Sequence, residues 1–116
     1  MPKYMLLLHD AGAAPDTIGP EEIQAIIKRY IAWRERVERS GYAINGHKLR
    51  DGEGRTLRGT VGAPTVTDGP FAEAREVIGG LFIIEAGSYD EVVALSRDCP
   101  HLEFGTIEIR EVEPTS

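Results

Sequence analysis

Two hydrophobic periods alternate along this chain. Residues 3–9 carry the continuous apolar run Tyr4-Met5-Leu6-Leu7-Leu8, the pattern of a short strand buried on both faces. Asp10 to Gly19 is rich in Gly, Ala, Pro and Asp and reads as a loop. From Pro20 the period changes. Ile23, Ile26, Ile27, Tyr30, Trp33 and Val37 recur every three or four residues, which makes one apolar stripe on a helix. Pro20 suits the first helical position, Glu21 and Glu22 favour the positive end of the helix dipole, and Gly41 suits a left-handed cap.

Residues 42–49 suggest a second strand, and residues 56–67 one or two more, interrupted by Gly59, Gly62 and Pro64. Asp51-Gly52 and Asp68-Gly69-Pro70 mark turns. Gly79-Gly80 opens Leu81-Phe82-Ile83-Ile84, a central-strand candidate. Ser88 and Glu91 have the spacing of a capping box, starting a helix with Val92, Val93 and Leu95 on its buried side and Pro100 as its stop. Ile107 and Ile109 alternate with Glu108 and Arg110, a last strand with one wet face. The order is βαββαβ with an inserted hairpin. It predicts an α+β, ferredoxin-like sandwich over a single domain, 1–116, with two helices on one face of a four- to five-stranded antiparallel sheet. The other face is then left open. A second copy is its simplest cover, so a homodimer is expected.

Composition narrows the classes. The 116 residues are 41% hydrophobic and 28% charged, ordinary values for a globular domain. The net charge of −6 argues against a nucleic-acid partner. The basic residues between Lys28 and Arg39 are interleaved with Glu35 and Glu38, as on a solvated, ion-paired helix face. Cys99 is the only cysteine, which excludes an intrachain disulfide, and at a helix C-terminus it reads as core rather than nucleophile. No signal peptide or membrane-length apolar run is present, so a cytoplasmic protein without a membrane partner is expected.

The segment Val66-Thr67-Asp68-Gly69-Pro70-Phe71-Ala72-Glu73, followed by Glu76 and Gly79-Gly80, resembles the signature of the DGPF-motif branch of the YCII-related proteins. Tyr4 to Leu7 is similar to that family's opening strand, and Pro100, Gly105, Ile107-Glu108 and Arg110 to its closing segment. The resemblance implies a subunit of a dimeric α/β barrel and, through gene neighbourhood, a link to sigma factors of the extracytoplasmic-function type. YCII proteins proper are proposed to use a histidine on the first helix with a nearby aspartate. Here that helix has no histidine, and Tyr30 stands roughly where one would be sought. Glu111 follows Arg110 where members often carry proline.

Asp68, held at a Gly-Pro turn, is the leading candidate for a base or ligand-binding group; alternatively its carboxylate bonds the backbone of its own turn. His9 and His47, near strand ends, are candidate general bases if the fold brings them to Asp68, and otherwise solvated residues. His101 is expected in a loop. Phe71, Glu73 and Tyr30 are ligand-binding candidates. Their structural alternatives are a turn anchor for Phe71, a solubilising charge beside Arg75 and Glu76 for Glu73, and helix core for Tyr30. No metal-ligand spacing or phosphate-binding glycine motif occurs, so neither a metal nor an organic cofactor is expected. Two functions fit: a dimeric small-molecule-binding or regulatory module, and a cofactor-independent enzyme doing acid–base or hydrolytic chemistry on a small polar substrate.

Overall fold

A computed structural model describes residues 1–10, 19–69 and 77–114. Strand β1 (Lys3–Asp10) leads to helix α1 (Pro20–Arg39), then β2 (Ile44–Lys48). A hairpin of β3 (Arg55–Thr60) and β4 (Ala63–Asp68) follows, then β5 (Val77–Glu85), α2 (Tyr89–Ser96), a 3-10 turn over Pro100–Glu103 and β6 (Gly105–Glu111). The main sheet has the order β2-β5-β1-β6, with every neighbouring pair antiparallel. With the hairpin set aside, that is the split βαβ arrangement of a ferredoxin-like fold: the third strand slots between the first and second.

The inserted hairpin does not enlarge this sheet. β3 and β4 pair only with each other, Arg55 opposite Asp68 and Thr60 opposite Ala63, and Gly62 supplies the positive φ of their tight turn. Leu57, Val61 and Val66 stay exposed. Alternating apolar residues here mark a projecting arm, because no helix among the described residues covers either of its faces.

Strand β1 is buried on one face only, not on both. Tyr4, Leu6 and Leu8 face the helices with Ile44, Phe82 and Ile84, while Met5, Leu7, Leu81 and Ile83 are half-buried on the opposite side. A run with no polar break looks the same whether its second face meets protein or remains open.

Helix α1 docks through its C-terminal half. Trp33 and Val37 are buried and Tyr30 half-buried, whereas Ile23 and Ile27 remain 45% and 43% exposed. Trp33 packs edge-on against Phe82 and donates its indole N–H to the Leu95 carbonyl at 3.0 Å. Ion pairs Arg34–Glu38 and Arg39–Glu35 run along the wet face, and Gly41, with a φ of 98°, ends the helix.

At α2 the Ser88 hydroxyl accepts from the Glu91 N–H, one half of the capping box. The Glu91 carboxylate instead accepts from the Tyr42 hydroxyl at 2.9 Å, tying α2 to the chain after α1. Val92 is buried, but Val93 is exposed; Ser96 takes the inner position, its hydroxyl satisfied by the Val92 carbonyl.

Gly46 lies beneath the Phe82 ring, and a β-carbon there would overlap the ring edge. Since Phe82 is held by Trp33, the ring has no easy escape. Gly46→Ala is expected to lower unfolding stability by about 1–3 kcal/mol, seen as a reduced urea midpoint; an unchanged midpoint would mean that the ring moves aside at no cost.

Candidate functional site

The best-defined polar cluster lies on the helix side of the sheet, at the end of β1. His101, second residue of the 3-10 turn that Pro100 opens, is buried, its side chain 3% exposed. Its Nδ1 lies 3.0 Å from the Tyr30 hydroxyl and its Nε2 3.0 Å from the His9 carbonyl oxygen. Because a carbonyl can only accept, Nε2 carries the proton. In the neutral ring Nδ1 is then an acceptor, and the Tyr30 hydroxyl donates to it. The Asp10 carboxylate stands 4.0 Å from Nε2.

Two glycines make room for this arrangement. A β-carbon on Gly79 would collide with the Asp10 carboxylate, and one on Gly105 with the His9 carbonyl that receives the imidazole proton. Burial pushes the Tyr30 phenol up to about 12, with the neighbouring Cys99 and Asp10 adding to the rise and Arg29 opposing it. Burial likewise raises the Cys99 thiol to about 11, so it stays protonated and belongs to the packing.

The opposite, open face carries a different set. His9 leaves β1 on that side, its Nε2 2.9 Å from Glu108 of β6. His47 of β2 is exposed and pairs in register with Leu81, while His9 pairs with Ile78, so β5 lies between the two strands. Two strand spacings put the His9 and His47 backbones about 10 Å apart across the sheet alone. They share a face without meeting.

Asp68 sits on the separate hairpin, 91% exposed at its side chain and 3.3 Å from the Arg55 guanidinium opposite it. Among the described residues, Asp68, His9 and His47 are thus placed on three different strands, β4, β1 and β2. Phe71 and Glu73 lie outside the described residues, as do Arg75 and Glu76. Of the ligand-binding candidates, Tyr30 is the one drawn into a polar cluster.

Asp10 was not singled out from the sequence, and His101, expected in a loop, is instead buried in the 3-10 turn. Asp10 was legible: the alternation Tyr4, Leu6, Leu8 carries it onto the helix side. For His101 the sequence offers only Pro100 before it, a signal for a new turn rather than an end. Among the described residues no group of three or more His, Cys, Asp or Glu side chains could hold a metal, and no helix is long and apolar enough to cross a membrane.

The sequence model of the YCII-related domain matches residues 2–116. The chain is similar to an uncharacterised protein of Rhizobium meliloti, 39% identical over 57 residues, covering 47% of this chain and 46% of that protein. It thus spans about half the length of the curated relative it matches. A crystal structure of an Arabidopsis thaliana protein aligns over 100% of this chain and 97% of its own, with a TM-score of 0.45 and 17% identity.

The buried phenol gives a signature in alkali. An unfolded chain ionises its tyrosines near pH 10, whereas folded Tyr30 keeps its proton to about 12. The unfolded state loses the proton first, so the stability Tyr30 contributes is full below about pH 10 and lost as pH rises through about 12. Tyr4 and Tyr42 are also raised, and their share is common to both proteins. Tyr30→Phe is therefore expected to flatten the alkaline fall of the urea midpoint; an identical slope in the variant would contradict the buried hydrogen bond.

Proposed function

The chain belongs to the YCII-related domain family, and we propose that it works as a homodimeric small-molecule-binding module of the DGPF-motif branch. The observation that carries this reading is the face of the four-stranded sheet turned away from the helices, on which no helix packs among the described residues. Its centre is apolar, from Met5, Leu7, Leu81 and Ile83, and its margins carry His47, the His9–Glu108 pair and Arg110. An apolar floor with a few placed polar groups is the usual make-up of a ligand site. In a monomer, a contiguous patch of this kind marks an interaction surface.

A twofold axis running parallel to such a face, in the plane between the copies, sets like against like and closes the assembly at two copies. The two sheets then bury their apolar centres in a dimeric α/β barrel, and the histidine-bearing margins of each copy line the space between them. The ligand class that suits those margins is a small polar molecule, received by imidazole and guanidinium groups. The Asp68 turn, tied to Arg55 on the hairpin arm, belongs in this reading to the scaffold.

Light scattering on the full chain is expected to give twice the subunit mass of 12.7 kDa, and Leu81→Arg, at the middle of the open face, to give the single mass with an unchanged circular dichroism spectrum. A wild-type monomer at micromolar concentration would remove the dimer and with it the shared ligand space.

A further inference from the structure

The geometry points to a second function, independent of the open face: Tyr30, His101 and Asp10 form a proton relay that makes the Tyr30 oxygen a general base towards small oxo acids. The hydroxyl proton already points inward, 3.0 Å from His101 Nδ1. The oxygen's lone pairs therefore point away from the ring, and they are what the relay would offer a ligand. On the far side of the ring, Nε2–H is held by the His9 carbonyl at 3.0 Å, and the Asp10 carboxylate waits at 4.0 Å. The order hydroxyl, imidazole, carboxylate is that of a hydrolase triad, with a phenol outermost and with the His9 carbonyl, rather than the carboxylate, holding the ring N–H.

The step balances within the protein and substrate. A C–H bond beside the substrate carbonyl breaks, its electron pair stays on the substrate as an enolate, and its proton passes to the Tyr30 oxygen. The Tyr30 proton moves at the same time to His101 Nδ1. The resulting imidazolium is stabilised by the His9 carbonyl and by Asp10, whose negative charge is worth most against a charge formed inside the protein. Reversal returns a proton to the enolate carbon, so no oxidant, reductant or cofactor is consumed.

The surroundings select the substrate. Arg29 precedes Tyr30 on α1 and favours negative charge at the Tyr30 oxygen, and its guanidinium is paired with Glu103 beside His101. An acid whose carboxylate can share that cation fits better than a neutral ketone. Besides His101, the elements packed around the phenol supply Cys99, Asp10 and Arg29 as its titratable or charged neighbours. Of these, Cys99 is buried and protonated, which leaves Asp10 as the carboxylate of the relay.

The test is proton exchange in deuterium oxide, followed by NMR on pyruvate and acetoacetate with the full chain. The wild type is expected to exchange the protons beside the carbonyl faster than buffer does, and Tyr30→Phe to lose about 100-fold or more of that rate while keeping its circular dichroism spectrum. Asp10→Asn, which preserves shape, is expected to lower the rate about tenfold and to change its pH dependence without moving the melting midpoint. Should Tyr30→Phe unfold, Asp10→Asn decides alone. Absence of exchange above buffer with both probes would overturn the relay, and so would exchange that survives in the folded Tyr30→Phe protein, or in Asp10→Asn with the wild-type pH profile. A monomeric protein that still exchanges would overturn the dimer reading and leave the relay standing.

Discussion

Trp33 holds three elements together, α1, β5 and α2, and the geometry of everything near it follows from that contact. Its ring meets Phe82 of β5 at a centroid distance of 5.1 Å, and its N–H ends on the Leu95 carbonyl of α2. One side chain thus fixes α1 against the sheet and against the second helix. An indole buried without a partner for its N–H would lose part of what its burial gains, so the Leu95 carbonyl sets the rotation of α1 as well as its height. Tyr30 stands one turn earlier on the same stripe. Once Trp33 is seated, the phenol must point towards the end of β1, where His101 receives it.

The second constraint is the central position of β1. Paired on both sides, by β5 and β6, it has no edge. Its side chains are therefore sorted strictly by parity: Tyr4, Leu6, Leu8 and Asp10 towards the helices, Met5, Leu7 and His9 away. A single strand end thereby supplies both polar neighbourhoods, with the His9 carbonyl serving one and the His9 ring the other. The register irregularity between Leu8 and His9 falls where this division occurs. Gly79 and Gly105 flank the same point, and each gives up a side chain so that a neighbour's oxygen can occupy its space. Glycine weakens a strand interior, which makes two of them beside one carboxylate and one carbonyl a cost the site imposes on the fold.

Most of the architecture was legible because it rests on periodicity. The helical stripe ending in Trp33 and Val37, the alternation of Ile107 and Ile109, and the cap at Ser88 each state a local preference that the tertiary fold keeps. The misreadings share one cause. Val93 against Ser96 and Ile23 against Trp33 both turn on which of several plausible faces finds a partner, and pattern alone does not encode the partner. The polar site was harder still. Asp68 stood out because Gly and Pro surround it, yet turn chemistry is local and the residue ends paired to Arg55 on an arm. His101 carried no motif, since the groups that define it come from residues 9, 10 and 30.

That origin bears on what the imidazole does there. An apolar side chain would fill the space below α1 without needing partners, whereas a buried imidazole destabilises the fold unless both nitrogens are engaged. Engaging them here takes a hydroxyl from α1, a carbonyl from β1 and two glycines to clear the approach. With Nε2–H given to the His9 carbonyl, the buried Nδ1 needs a donor of its own, which the Tyr30 hydroxyl supplies and a phenylalanine would not. The second bond places a phenol whose proton is directed inward at the side of the ring opposite the carbonyl. Satisfying both nitrogens fixes that polarity, and the same polarity turns the phenol's lone pairs away from the ring, as a base on the Tyr30 oxygen requires.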